Sequence, residues 1–315
     1  MACCAPRRNE PTPSPPGDAM QIPACTIMSD RPMRLVDVPG GTFMMGDHFD
    51  EGYPADGERP VHRVSLPTFN MDASPVTNTE FSRFALATGY VTESEQLGYS
   101  AVFHAYLNAP AKEVMGKVEG TDWWLGVRNA SWRHPTGSGS HWQDLPDHPV
   151  VQVSWNDALA YCHWSGRTLP TEAQWEYAAR GLKPGQRYPW GNQLTPDSVH
   201  RCNIWQGNFP RENTLQDGYL GTSPVGSFPP NPLGLLDIAG NVWEWCQDWF
   251  LPKYYRNSPE LNPQGPTIGW GRVMRGGSHL CHESYCNRYR VSARSYNTAD
   301  SASSNTGFRT VGLPA

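Results

Sequence analysis

No apolar run in this 315-residue chain approaches the roughly 20 residues needed to cross a bilayer, which excludes a transmembrane helix and predicts a soluble protein. The N-terminal segment, from Met1 through Arg7-Arg8 and the prolines up to Pro16, lacks the apolar h-region of a secretory signal. A reducing cytoplasm is therefore the expected compartment, and the proline content predicts a disordered tail over residues 1–33. A long basic run is missing as well. At a net charge of -5 the chain has no electrostatic footprint for nucleic acid and nothing to offer anionic lipid, so neither is an expected partner. Long helical stretches are scarce, because 30 Gly and 30 Pro interrupt almost every one. With no internal repeat and no linker after the tail, residues 34–315 are read as one domain.

What the chain does have is aromatic mass. Its 13 Trp, 13 Tyr and 10 Phe suffice for a sizeable core, so the expectation is an α+β domain of short elements and ordered loops with little regular secondary structure. Arg34 to Val38, Pro39-Gly40-Gly41 and Thr42 to Gly46 read as strand, turn and strand, and Val61 to Leu66 with Phe69 to Met71 as a second strand pair. Thr77 with Glu80 has capping-box spacing ahead of a helix ending at Gly89; Ser154 caps a second helix, and Thr171 with Gln174 a third. Further strands are expected at Pro149 to Val153, Arg272 to Arg275, Arg290 to Arg294 and Phe308 to Val311. Residues 98–145, rich in tryptophan, show weak periodicity and read as a long ordered excursion.

Of the eight cysteines, only Cys281 and Cys286 sit close together in an ordered-looking region; Cys3, Cys4 and Cys25 fall in the tail, and Cys162, Cys202 and Cys246 are scattered. Residues five apart diverge on a strand and on a helix, so converging sulfurs need a bend, which Gly276 and Gly277 make accessible. Two soft thiolates favour Cu(I), while His279 and His282 nearby keep zinc open. A redox disulfide or a pair of inert core thiols fits the same spacing.

The stretch RGGSHLCHESYCNRYRVSARSYNTADSASSNTGFR, from Arg275 to Arg309, resembles the signature of the formylglycine-generating enzymes, also called sulfatase-modifying factors. Similarity continues through GNVWEWCQDW (Gly240 to Trp249), NIWQGNFP (Asn203 to Pro210), RTLPTEAQWEYAARG (Arg167 to Gly181) and PGGTFMMGD (Pro39 to Asp47). The GNVWEW, PTEAQWE and PGGTFMMG blocks belong to a wider superfamily that includes sulfoxide synthases and lectin-like binding modules. The RGGS block with both cysteines and the following RYR resembles the oxidase branch.

This resemblance implies a C-type-lectin-like variant fold and a copper-dependent oxidase, which converts the cysteine of a C-x-P-x-R motif in an unfolded sulfatase to Cα-formylglycine with molecular oxygen. By the same resemblance Cys281 and Cys286 hold Cu(I), and Ser278, Trp243 and Asn305 line the oxygen and substrate site, with Tyr285 and Arg290 as weaker transfers. Structural Ca2+ is implied at Asn203, Ile204, Asp217 and Tyr219, and again at Asp237, Gly240, Val242 and Glu244; carboxylates, amide oxygens and carbonyls on loops suit a hard cation. Ala179, Val291 and Thr310 stand where secretory members carry disulfide cysteines, which implies a bacterial-type enzyme. A substrate arginine calls for a carboxylate, for which Glu93 and Glu95 are candidates. The rival readings are a calcium-stabilised lectin-like binding module and an iron sulfoxide synthase, the latter lacking at this length its additional helical domain.

Overall fold

Four capped helices and a set of short strands carry the chain in the computed structural model, which describes residues 5–8 and 34–313. Most of the expected tail lies outside the described residues; Ala5 to Arg8 fall within them. The helices are α1 (Asn78–Thr88), α2 (Glu93–Leu97), α3 (Trp155–Ser165) and α4 (Glu172–Ala179). Each begins with a reciprocal capping box: Thr77 with Glu80, Thr92 with Glu95, Ser154 with Asp157 and Thr171 with Gln174. Left-handed Gly89, Gly98 and Gly166 end the first three. None of the described helices is long and apolar enough to cross a membrane.

The strand pairing near the N-terminus differs from the sequence expectation. Leu35–Val38 pairs antiparallel with Phe69–Asp72, and Gly41–Met45 with His62–Leu66, so the two predicted local pairs are exchanged for two longer-range ones. Two-residue strands Val311–Gly312 and Arg167–Thr168 extend the first of these sheets. A second sheet has the order Arg294–Asn297, Arg272–Arg275, Trp243–Trp249, Thr306–Gly307. The expected strand over Arg290 to Arg294 begins only at Arg294, and Pro149 to Val153 contributes a single bridge, to Thr77. Inside the excursion left without elements, Tyr99–Phe103, Thr121–Arg128 and Val114–Val118 form a three-stranded antiparallel sheet.

The second sheet divides two hydrophobic clusters. One packs α1 and α3 against the cysteine pair through Phe81, Tyr161, Trp243 and Trp245; the other packs α4 against the first sheet through Trp175, Met71 and Val273. Buried ion pairs cross-link these short elements. Arg309 makes a two-point contact with Glu244, and Arg290 one with Glu58.

Asp248 carries a pH dependence. Its Oδ2 accepts the Glu172 N–H at 2.8 Å at the start of α4, while burial and then the neighbouring Glu172 charge push the carboxyl up to about 7 from 3.8. The folded state thus holds this proton more tightly than the unfolded chain, so the contribution to stability falls as pH rises from about 4 to about 7. Asp248→Asn should flatten that part of the profile, read as Tm at pH 5 and pH 8; an unchanged slope would assign it to another group.

Candidate active site

Arg275 ends its strand and hands the chain to Gly276 and Gly277, both at positive φ (91° and 71°). A Cβ at Gly277 would come within 3.0 Å of the Arg288 and Tyr289 backbone, so the turn closes only on glycine. Beyond it the Cys281 N–H returns to the Ser278 carbonyl at 2.9 Å, and the Cys286 N–H to the His282 carbonyl at 2.7 Å. These two tight turns supply the bend that the five-residue spacing requires. The Cys281 and Cys286 Sγ atoms lie 3.2 Å apart, well beyond a disulfide bond, and both residues are buried.

Three of the predicted neighbours meet there. The Ser278 N–H donates to Cys281 Sγ at 3.4 Å. Ser278 Oγ accepts from Asn305 Nδ2 at 2.9 Å and from the Leu280 N–H at 3.3 Å, leaving its own proton to donate. Asn305 is oriented in turn by Ser303, whose hydroxyl donates to Oδ1 at 2.8 Å. The Trp243 N–H donates to the Asn305 carbonyl at 2.9 Å, and its indole sits in the cluster with both cysteines; the indole N–H is buried with no hydrogen-bond partner. Tyr285 stacks on Phe209 at 4.3 Å and meets Trp123 edge-on at 5.5 Å. This aromatic wall, with Trp205 and Phe103 behind it, draws on the excursion whose elements the sequence left unassigned.

Other candidates go elsewhere. Arg290 is spent on Glu58, with Nε donating to the Asn287 carbonyl at 3.1 Å, so it braces the turn after Cys286. The Nδ1 of His279 faces the Asn241 carbonyl at 2.7 Å, and that of the half-buried His282 faces Ser284 Oγ at 2.8 Å. Among the described residues no three His, Cys, Asp or Glu side chains group to hold a metal, which removes the motive for a zinc site built from these histidines. Cys162, Cys202 and Cys246 are buried apart from one another, and burial raises each thiol pKa. Ala179 and Val291 share one apolar cluster, and Thr310 donates to Asp72 Oδ2 at 2.7 Å.

Copper(I) fits the cysteine pair: two buried soft donors converge, next to a backbone N–H and a hydroxyl. Calcium fits less evenly. The carboxylate of Asp217 takes the Ile204 and Tyr219 N–H groups at 3.0 Å each, Asn203 donates to the Gly221 carbonyl, and the Ile204 carbonyl is contacted by the Gln206 amide. In the second set, Glu244 is occupied by Arg309 and by Trp175 Nε1. Asp237 Oδ1, by contrast, is buried with no hydrogen-bond partner, and burial pushes this carboxyl up to about 6. Gly240 binds the two loops together, since a Cβ there would collide with the Asn203 carbonyl.

The geometry defines a class: a mixed α/β domain with few helices, many short strands and a buried thiol pair closed on a glycine-led turn. A family model described as "Sulfatase-modifying factor enzyme 1-like domain" matches residues 27–312, and the chain belongs to that family. It is 57% identical to a formylglycine-generating enzyme of Streptomyces coelicolor over 94% of each chain. It is 43% identical to a mouse protein named inactive C-alpha-formylglycine-generating enzyme 2, over 87% of this chain and 84% of that one. Among solved structures, PvdO from Pseudomonas aeruginosa superposes with a TM-score of 0.63 at 22% identity, covering 96% of this chain and 98% of that one, a likeness of fold. The expected fold class, that of the sulfatase-modifying factors, is the one found.

Proposed function

We propose that this protein oxidises the cysteine of a C-x-P-x-R segment in an unfolded sulfatase to Cα-formylglycine, with Cu(I) held by Cys281 and Cys286 and dioxygen as co-substrate. The observation that carries the reading is the convergence of those two buried sulfurs beside Ser278 and Asn305. Family membership alone does not decide activity, since one relative is named inactive.

The metal, when bound, supplies the soft attachment point for the substrate thiol and the one-electron chemistry that dioxygen requires. The chain's own residues do the rest. Cys281 and Cys286 set where the substrate sulfur binds, with the Ser278 N–H stabilising negative charge on Cys281. The Ser278 hydroxyl, held by Asn305 and the Leu280 N–H, presents a proton to the reacting oxygen. Trp243 fills the floor and keeps water out. The balance runs from substrate CH2–SH and O2 to aldehyde, hydrogen sulfide and water. Dioxygen takes four electrons, of which the substrate provides two, so an external thiol pair must provide the other two and leave as disulfide. Copper-loaded protein given oxygen, thiol and a C-x-P-x-R peptide should yield the aldehyde, read as a mass change in which sulfur and two hydrogens are exchanged for one oxygen. No aldehyde from folded, copper-loaded protein would overturn the reading.

We also propose structural calcium, with Asp237 and the Gly240 and Val242 carbonyls as the best-supported set, because the orphaned Asp237 Oδ1 needs a cation to be comfortable as a charged group. Calcium at a hundredfold excess over its Kd should stabilise the fold by about 2.7 kcal/mol, raising Tm, and EGTA should reverse this. Asp237→Asn should abolish the rise; a rise that survives the substitution would move the ion to the loop of Asp217.

A further inference from the structure

The chain carries its own copy of the recognition pattern. Cys4-Ala5-Pro6-Arg7-Arg8 reads C-x-P-x-R, and its described part, Ala5 to Arg8, lies in a groove of the same molecule rather than away from it. Ala5 joins the buried cluster that contains Cys281, Cys286 and Trp243, and Pro6 is buried beside it. The Pro6 carbonyl accepts from Asn297 Nδ2 at 3.0 Å, and the Arg8 N–H donates to Ser301 Oγ at 3.0 Å. The Arg8 guanidinium enters the end of the groove, donating to Ser94 Oγ at 2.9 Å and to the Tyr99 carbonyl and Ser100 Oγ at 3.4 Å each. Arg7 points the other way and lies 4.1 Å over the Tyr296 ring.

Each fixed position of the pattern therefore has a reason. Proline is buried and needs no N–H partner, arginine is read by hydroxyls and a carbonyl, and the intervening Arg7 lies on a ring that any long side chain can cover. Charge agrees: Glu93 exerts the largest attraction on Arg8, its Oε2 is buried with no hydrogen-bond partner, and Arg8 Nη1 likewise has none. Glu95, the other candidate, is taken by Arg133 and Trp132. We infer that Ala5–Arg8, the described part of this C-x-P-x-R match, is a built-in substrate-like segment that occupies the peptide groove in cis and competes with the incoming sulfatase chain. The inference rests on the proposed C-x-P-x-R specificity and adds the groove's resident ligand.

Tethering through residues 9–33 turns the encounter into an intramolecular one, at an effective concentration on the order of 1 mM. A segment whose intrinsic Kd is a tenth of that weakens a competing peptide about tenfold. The test measures, by fluorescence polarisation, binding of a labelled S-x-P-x-R peptide, serine standing for cysteine so that no turnover occurs, to the full wild-type chain and to Arg8→Ala. Arg8→Ala should bind about tenfold more tightly. Hydrogen exchange provides a second reading: the Arg8 amide should be protected in wild type and lose protection when excess peptide is added. Equal affinity for the two forms, or an Arg8 amide indifferent to peptide, overturns the inference. Conversion of an oxidisable peptide by both forms at equal KM would overturn it while leaving the oxidase reading intact. Tighter binding by Arg8→Ala without conversion by either copper-loaded form would do the reverse.

Discussion

Cys281→Ala and Cys286→Ala should each give a folded protein that forms no aldehyde, with turnover down by at least about a thousandfold, equivalent to roughly 4 kcal/mol of barrier. The two sulfurs are the soft donors that converge, 3.2 Å apart, and removing either leaves one thiolate, which cannot hold Cu(I) against external thiols. Stability should change by only about 1 kcal/mol, since each substitution trims one buried sulfur. Copper stoichiometry by competition with a Cu(I) chelator and aldehyde by mass spectrometry separate the two effects. Conversion at the wild-type rate by either variant would sink the two-thiolate site. Loss of aldehyde in wild type itself would move the lectin-like binding reading to first place. Ser278→Ala makes a finer cut: it keeps the sulfurs and the Ser278 N–H and removes only the hydroxyl that accepts from Asn305 and the Leu280 N–H, so copper should still bind while kcat falls.

How far the sequence disclosed this site depends on the range of the interactions involved. Caps are local, so Thr77, Ser154 and Thr171 were legible, and Thr92 with Glu95 carried the same signal ahead of α2. The Gly276-Gly277 bend was legible because only glycine meets its backbone demand. Strand partners were not: alternation in Leu35–Val38 and Gly41–Met45 marks strands but cannot say that each pairs across the other's neighbour. The sheet within residues 98–145 was hidden because its faces are filled by tryptophans and glycines rather than alternating apolar and polar residues. With it went the wall of Trp123 and Phe209 against Tyr285. Residues 4–8 had the C-x-P-x-R spacing in plain view, yet the surrounding prolines dominate any compositional reading of the segment. Resemblance placed Ser278, Trp243 and Asn305 with the cysteines, where the structure brings them together, but it gave no warning that Glu244 is committed to Arg309.

Glu172→Ala should cost about 3–5 kcal/mol and lower Tm by on the order of 10 °C. Glu172 Oε1 accepts from Arg275 Nη1 at 2.9 Å and Arg294 Nε at 2.7 Å, and Oε2 from Arg294 Nη2 at 2.7 Å, so one carboxylate neutralises parts of two fully buried guanidinium groups. Glu176 holds the other side of Arg275 at 2.6 Å and also binds Arg180 and the Gly46 N–H. Burial pushes the Glu176 carboxyl up, but Arg180, Arg275 and that N–H outweigh it and hold it down to about 2. Its stabilising contribution is therefore complete above about pH 4.5 and lost as pH falls toward 2. Removing Glu172 leaves Arg294 without a carboxylate partner among the described residues, whereas Glu172→Gln keeps one acceptor and should cost less. The effect reaches the site because Arg275 is the last residue before Gly276. When its guanidinium loses half its anchor, the strand end that launches the cysteine turn loosens, and Cu(I) affinity should fall together with Tm. A drop in Tm of less than about 2 °C would mean that water replaces the carboxylate and that the turn is held by Glu176 and the Val291 carbonyl instead.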